Sequence, residues 1–247
     1  MKPEGLLRTK YEEAAAKEYA RLFSASTDSV ADKLANFSKY VRRQDLTGFL
    51  ARYEIFKKIL GVKGSIVECG VFRGSGLMAW ANFSAILEPA NLTRRIYGFD
   101  TFSGFADVSE KDQNDVREAK KGELSSKSFD ELSELIRIYD SNRFLGHVDK
   151  MKLVQGDAKE TIPTFIEQNP HLVVSLLFLD FDLYEPTKVA LENFLPRMPK
   201  GAVVAFDELD NPIWPGETQA LIETLGINAL ELQRHEWDPY IAYAVIP

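Results

Sequence analysis

Residues 65–76 read SIVECGVFRGSG, and this stretch decides the fold. Ser65–Cys69 is a short apolar strand. Gly70, Gly74 and Gly76 make a glycine-rich turn after it, and an apolar helical pattern follows over about 75–87. Strand, tight turn and helix are the opening of a parallel βαβ unit. The glycine spacing is G-x-x-x-G-x-G. It is not the G-x-G-x-x-G that cradles a dinucleotide pyrophosphate, and no Lys-Ser/Thr follows to make a P-loop. Glu68, just before the turn, would repel a phosphate and could hold an ammonium group. The same residues would also serve as a plain strand-to-helix turn.

The alternation continues downstream. Strands are predicted at Arg95–Phe99, Lys152–Gln155, Val173–Asp180 and Ala202–Phe206, the Val173–Asp180 run being the most apolar, as befits a central parallel strand. Helices are predicted from about Lys159, around Pro186 in a first turn, and over Glu217–Leu225, ended by Gly226. Two strands, about 229–236 and 241–246, close the chain. The pattern predicts an α/β fold: a doubly wound, mostly parallel seven-stranded sheet with an antiparallel edge hairpin.

Upstream, Leu46, Phe49, Leu50, Tyr53, Phe56, Ile59 and Leu60 mark an amphipathic helix over 46–60, stopped by Gly61. Residues 1–45 are polar with helical spacing around Tyr11, Ala15, Tyr19 and Leu22, an N-terminal helical extension to a main domain over 46–247. Residues 101–150 exceed a simple crossover. They are strongly charged from Ser109 to Lys127, then carry a capping-box pattern, Ser128 with Glu131, before a helix at Phe129–Tyr139. An insertion of this length at the carboxyl edge of a sheet is expected to be a lid.

The bulk numbers agree with one α/β domain plus extensions. The chain has 247 residues, 45% of them hydrophobic, and a formal net charge of -7. That acidity disfavours general binding to nucleic acid. The single cysteine, Cys69, has no intramolecular partner and fits a reducing cytoplasm. Met1 to Tyr19 lacks a signal-peptide apolar core, and no run approaches the roughly 20 apolar residues of a membrane span.

In an open parallel sheet, ligands sit beyond the carboxyl ends of the strands. The second strand ends at Asp100, which can accept both hydroxyls of a ribose or cap a turn. The third ends in Gly156-Asp157-Ala158, where Asp157 can accept from an adenine amino group or N-cap the next helix. The fourth and fifth ends read LDFDLYE (179–185) and FDE (206–208). In a doubly wound sheet these strands are neighbours, so Asp182, Asp207 and Glu208 converge unless they are separate solvated loop residues. Convergent carboxylates repel unless protonated or neutralised, and all-oxygen ligands select a hard divalent ion such as Mg²⁺.

Taken together, these motifs resemble the class I S-adenosylmethionine-dependent methyltransferases. More narrowly they resemble the macrocin O-methyltransferase (TylF-type) family, which methylates sugar hydroxyls of macrolides and related natural products. The resemblance rests on VECGVFRGSG (67–76), GFDTFSGF (98–105), GD (156–157), LDFDLYEPT (179–187) and VVAFDE (203–208), and covers roughly residues 40–225. It implies S-adenosylmethionine as cofactor, with Glu68 and Gly70 at its methionine end, helped by Gly74 and Ser75. Asp100 and Thr101 would hold the ribose. Asp157 would lie near adenine, and Ala158 and Asp180 would also bind the cofactor. Asp182, Asp207 and Glu208 match the metal ligands. The family often has a second aspartate where this chain has Glu208, and usually a glycine where it has Phe181, which narrows the pocket. A homo-oligomer, dimer or tetramer, is implied as well.

The chemistry expected is metal-assisted O-methylation of a small hydroxylated substrate containing a sugar, without nucleic-acid or membrane partners. Asp182 at the metal could take the proton. Of the three histidines, His147 is the spare base candidate, while His171 and His235 read as surface or sheet residues. Trp214 could stack on a sugar face or pack within its loop. A catechol-like acceptor needs the same carboxylates. A non-catalytic nucleotide-binding module has no need of them, and the glycine spacing argues against a dehydrogenase.

Overall fold

The structure is a computed structural model and describes residues 9–247. The chain divides into two compact units at Leu50/Ala51, five residues beyond the expected boundary. In the first unit, α1 (Lys10–Ala25) is N-capped by Thr9, which forms a reciprocal capping box with Glu12. A short helix α2 (Val30–Ala35) follows, capped by Ser29. Lys33 lies over the Phe23 ring, which meets Tyr40 edge-on. Helix α1 buries none of its side chains.

The second unit is built on one sheet. Its strands are β1 (Ser65–Cys69), β2 (Ile96–Asp100), β3 (Met151–Gln155), β4 (Val174–Leu179), β5 (Val203–Phe206), β6 (Gln233–His235) and β7 (Asp238–Val245). They lie in the order β3-β2-β1-β4-β5-β7-β6, with β7 antiparallel to both neighbours. The predicted seven-stranded, mostly parallel sheet with a reversed edge is the sheet found. β1, β4 and β5 are buried throughout, because helices cover both faces. On one face lie the buried part of α3 (Arg43–Ile59), α4 (Ser75–Leu87) and α5 (Phe129–Ser141). On the other lie α6 (Ala158–Gln168), α7 (Tyr184–Phe194) and α8 (Gly216–Thr224).

The amino edge of the sheet is locked by one buried arginine. Arg94 pairs with Glu88, donates to Ser175 Oγ and the Gly64 carbonyl, and reaches the Ile59 and Val62 carbonyls at the end of α3. A buried guanidinium with every donor placed is far less costly than an unpaired one.

Two local expectations are corrected. The buried stripe of α3 is Ala51, Ile55, Phe56 and Ile59, while Phe49, Leu50 and Leu60 are exposed. This phase turns Arg52 inward. Helix α5 begins at Phe129 as expected, but Ser128 makes no cap with it. Its hydroxyl donates instead to the Phe72 carbonyl, tying the insertion to the glycine turn. Among the described residues no helix is long and apolar enough to cross a membrane.

Candidate active site

The strand order reverses between β1 and β4, and a cleft opens over their carboxyl ends, where such sheets bind ligands. It encloses about 980 Å³, open mouth included. The backbone ladder runs one residue past each strand. Gly70 N–H donates to Phe99, Asp180 N–H to Cys69 and Asp207 N–H to Leu179. This sets Gly70, Asp100, Asp180 and Asp207 along a single edge.

Of the expected residues, Gly70, Asp100, Thr101, Asp157, Ala158, Asp180 and Asp182 line the cleft. Gly70 has φ +94°, and a Cβ there would overlap the Asp180 carbonyl, so only glycine allows β1 to turn against β4. Asp100 accepts from Phe72 N–H at 2.7 Å and from Phe102 N–H at 2.6 Å. Both phenylalanines have positive φ, 49° and 57°. Asp100 therefore pins two left-handed turns while facing the cleft. Asp157 caps α6 through Lys159 N–H and also lines the cleft. For Asp100 and Asp157, the capping alternative is realised in the same side chain that faces the cavity.

Gly74 and Ser75 start α4, with Gly74 packed against Leu132. Glu68 lies beneath the cleft floor, 1% exposed. It pairs in register with Phe178, so both side chains point to the α3 face. There Arg52 stacks on Phe178, 4.6 Å from the ring centroid. Its guanidinium lies 3.7 Å from Asp180 and 3.6 Å from Asp207. Burial pushes the Glu68 carboxyl up to about 8, Arg52 opposes this, and Asp207 and Asp100 add to it. Glu68 Oε2 has no hydrogen-bond partner. Glycine at position 76 leaves room for Glu68 Oε1.

At the ends of β4 and β5, Asp180, Asp182 and Asp207 lie close enough to repel one another. Burial raises Asp180 well above the carboxylate range, and Asp207 and Asp182 raise it further while Arg52 opposes. Asp182, at φ 62°, is pushed up to about 7 by burial and by Asp207, against Arg117. Glu208 accepts from the Asn211 side chain. Among the described residues no three acidic, histidine or cysteine side chains stand as a preformed metal cage.

The structure does not bring His147 to the cleft. It is exposed in the turn before β3, at the amino edge of the sheet and outside the cleft lining. His171 is exposed before β4, and His235 in β6 stacks on Trp237 and Tyr243.

The 101–150 insertion supplies Gly104, Phe105, Val108 and Leu124 to the cleft wall. Its charged half is tied down by polar contacts rather than apolar ones. Buried Asp112 accepts from Tyr184 N–H at 2.6 Å and from Ser109. Arg117 lies 3.5 Å over the Trp214 ring, which meets Phe105 edge-on, so Trp214 is a packed loop aromatic. Sequence reading missed Arg52, Asp112 and Glu217. The last is fully buried and accepts from Asp182 N–H and Glu208 N–H.

This strand order, with its reversed β7 and its cleft at the β1/β4 switch, defines the class I S-adenosylmethionine-dependent methyltransferase fold. The chain belongs to the macrocin-O-methyltransferase (TylF) family, whose sequence profile matches residues 41–223. The 8-demethyl-8-(2,3-dimethoxy-alpha-L-rhamnosyl)-tetracenomycin-C 4'-O-methyltransferase of Streptomyces olivaceus is 30% identical over 149 residues, covering 60% of this chain and 54% of that protein. The demethyldecarbamoylnovobiocin O-methyltransferase of Streptomyces niveus is 28% identical over 151 residues, 60% and 53% of the two chains. The chain thus spans about half the length of these relatives. The crystal structure of CalS11, a calicheamicin methyltransferase, is 36% identical with a TM-score of 0.93, covering 96% of this chain and 93% of its own. The apo structure of CalS11, described as a TDP-rhamnose 3'-O-methyltransferase, gives 35% and 0.84, over 96% of this chain and 95% of its own.

Proposed function

We propose that this protein transfers a methyl group from S-adenosylmethionine to a hydroxyl of a sugar, as a glycosylated natural product or a sugar nucleotide. The observation that carries this reading is the meeting of two sets of residues in one cleft. Gly70, Asp100 and Asp157 make one wall, and Asp180 and Asp182 stand beside it at the end of β4. The family and its sugar-modifying relatives support the same reading.

The residues fit the cofactor. Gly70, at the turn after β1, lets a ligand approach the backbone at the methionine end. Asp100 keeps free lone pairs for ribose hydroxyls, and Asp157 is placed for the adenine side. When bound, the cofactor supplies a sulfonium whose methyl carbon is already electrophilic. The protein's part is to align the acceptor and take its proton. Asp182 is placed for that, since it faces the cleft at the end of β4.

A divalent ion such as Mg²⁺ fits the chemistry of the donors, which are all carboxylate oxygens in a mutually repelling group. Asp182 and Asp207 would hold it, with Glu208 as the third candidate. Bound there, the ion would lower the pKa of an acceptor hydroxyl. A homo-oligomer and a cytoplasmic location complete the reading. The first draws on the unburied helix α1, the second on the buried, unpaired Cys69.

The test is methyl transfer from labelled S-adenosylmethionine across a panel of glycosides and sugar nucleotides, with and without chelator. Turnover should appear with at least one sugar hydroxyl, and chelation should abolish it while cofactor affinity stays nearly intact. Asp182→Asn should lower kcat far more than it weakens cofactor binding. Full turnover in excess chelator would remove the metal from the mechanism, and no transfer to any acceptor would remove the function.

A further inference from the structure

We propose that Glu217 is a positioning residue for methyl transfer, clamping the Asp182 loop and the Asp207–Glu208 loop into one rigid floor. This rests on the methyltransferase reading above. Glu217 is the second residue of α8 and is fully buried. Its Oε1 accepts from Asp182 N–H and its Oε2 from Glu208 N–H, each at 3.2 Å. One carboxylate thus spans the two loops that carry the acids.

The sheet does not make this connection itself. The β4–β5 ladder stops at the bond from Asp207 N–H to the Leu179 carbonyl. Asp182 and Glu208 lie beyond it, and Asp182 holds a left-handed backbone, φ 62°, that an L-residue adopts only when its surroundings fix it. The bond from its N–H to Glu217 is one such restraint. The placement of Glu217 follows from its neighbour. A Cβ at Gly216 would overlap Asp112 Oδ1 and Tyr184 N, so glycine lets α8 dock against the start of α7 and slides Glu217 under both loops.

Packing does not call for an acid at this position. Glu217 is fully buried, and taking a carboxyl group out of water costs free energy. An apolar side chain of the same volume would avoid that penalty. What such a side chain lacks is the pair of acceptors.

Glu217→Met and Glu217→Gln separate the two roles. Methionine keeps the volume and removes both acceptors, and glutamine keeps one. In Glu217→Met, amide exchange at Asp182 and Glu208 should accelerate about tenfold or more, the equivalent of one lost hydrogen bond. Its melting temperature should change little, because relief of a buried acid offsets the two amides left unpaired. Its affinity for S-adenosylmethionine should stay within about twofold, since Glu217 does not line the cofactor cleft. Its kcat should fall about 10–100-fold, the usual effect of freeing a group that orients others. Glu217→Gln should accelerate exchange at one of the two amides and lose less activity. Unchanged exchange at both amides, or unchanged kcat in Glu217→Met, overturns the proposal. If Glu217→Met fails to fold, Glu217→Gln decides by the same two readouts. If the wild type methylates nothing, the methyltransferase reading falls, and the exchange rates still decide whether the clamp exists.

Discussion

Arg52 and Glu68 face each other across the α3 side of the sheet, and their balance sets the charge under the cleft. Glu68 takes up protons on folding, because burial lifts it from 4.5 to about 8. Between those values the folded chain binds more protons than the unfolded one, so stability falls as pH rises. Asp180 and Glu217 act in the same direction. In chelator and without cofactor, the melting temperature should therefore drop between about pH 6 and about pH 8, and Glu68→Gln should flatten the drop. An equal slope in both proteins would show that Glu68 is not its source. The acids themselves were legible, because a carboxylate at the end of an apolar strand stands out against its surroundings. Their counter-ion was not. Arg52 sits in an ordinary amphipathic helix, and only the packing of α3 on Phe178 brings it to Asp180 and Asp207. The two motifs contain no basic residue, which made a metal look like the sole source of positive charge. Glu217 was hidden for a similar reason, since a glutamate in the first turn of a helix reads as a favourable dipole contact.

At the level of elements, the central strands were read to within a residue or so, because β1, β4 and β5 are buried on both faces and leave continuous apolar runs. The edge hairpin was misplaced, with β6 beginning at Gln233 rather than near 229 and β7 at Asp238 rather than 241. Edge strands are half exposed, and their pattern is weaker. The insertion was recognised by its length and charge, yet its anchoring was not foreseen. Asp112 lies in a stretch that reads as solvated, and its role depends on the amide of Tyr184, far along the chain. Asp112→Ala leaves that buried amide without a partner and unties the first half of the insertion from α7. A loss of about 1–3 kcal/mol is expected, with faster hydrogen exchange across 105–127. Binding of cofactor and acceptor should slow that exchange again if the segment closes as a lid. Exchange in the variant that matches the wild type would show that Arg117 and Trp214 hold the segment alone.

For the whole molecule, the unsettled surface is in the first unit. Leu22, Leu34 and Phe37 are each more than half exposed, and α1 buries nothing. That apolar exposure predicts a homo-oligomer, a dimer or tetramer, by light scattering at micromolar concentration. A monomer at that concentration would contradict it. The second unit divides its labour between the two edges of one sheet. Its amino edge is closed by Arg94, whose bonds join α3, α4, β1 and β4, while its carboxyl edge gathers acids that repel one another. Robustness is thus stored at the opposite end from innovation. Changes confined to loops such as 101–127 therefore leave untouched the joint that keeps the sheet shut.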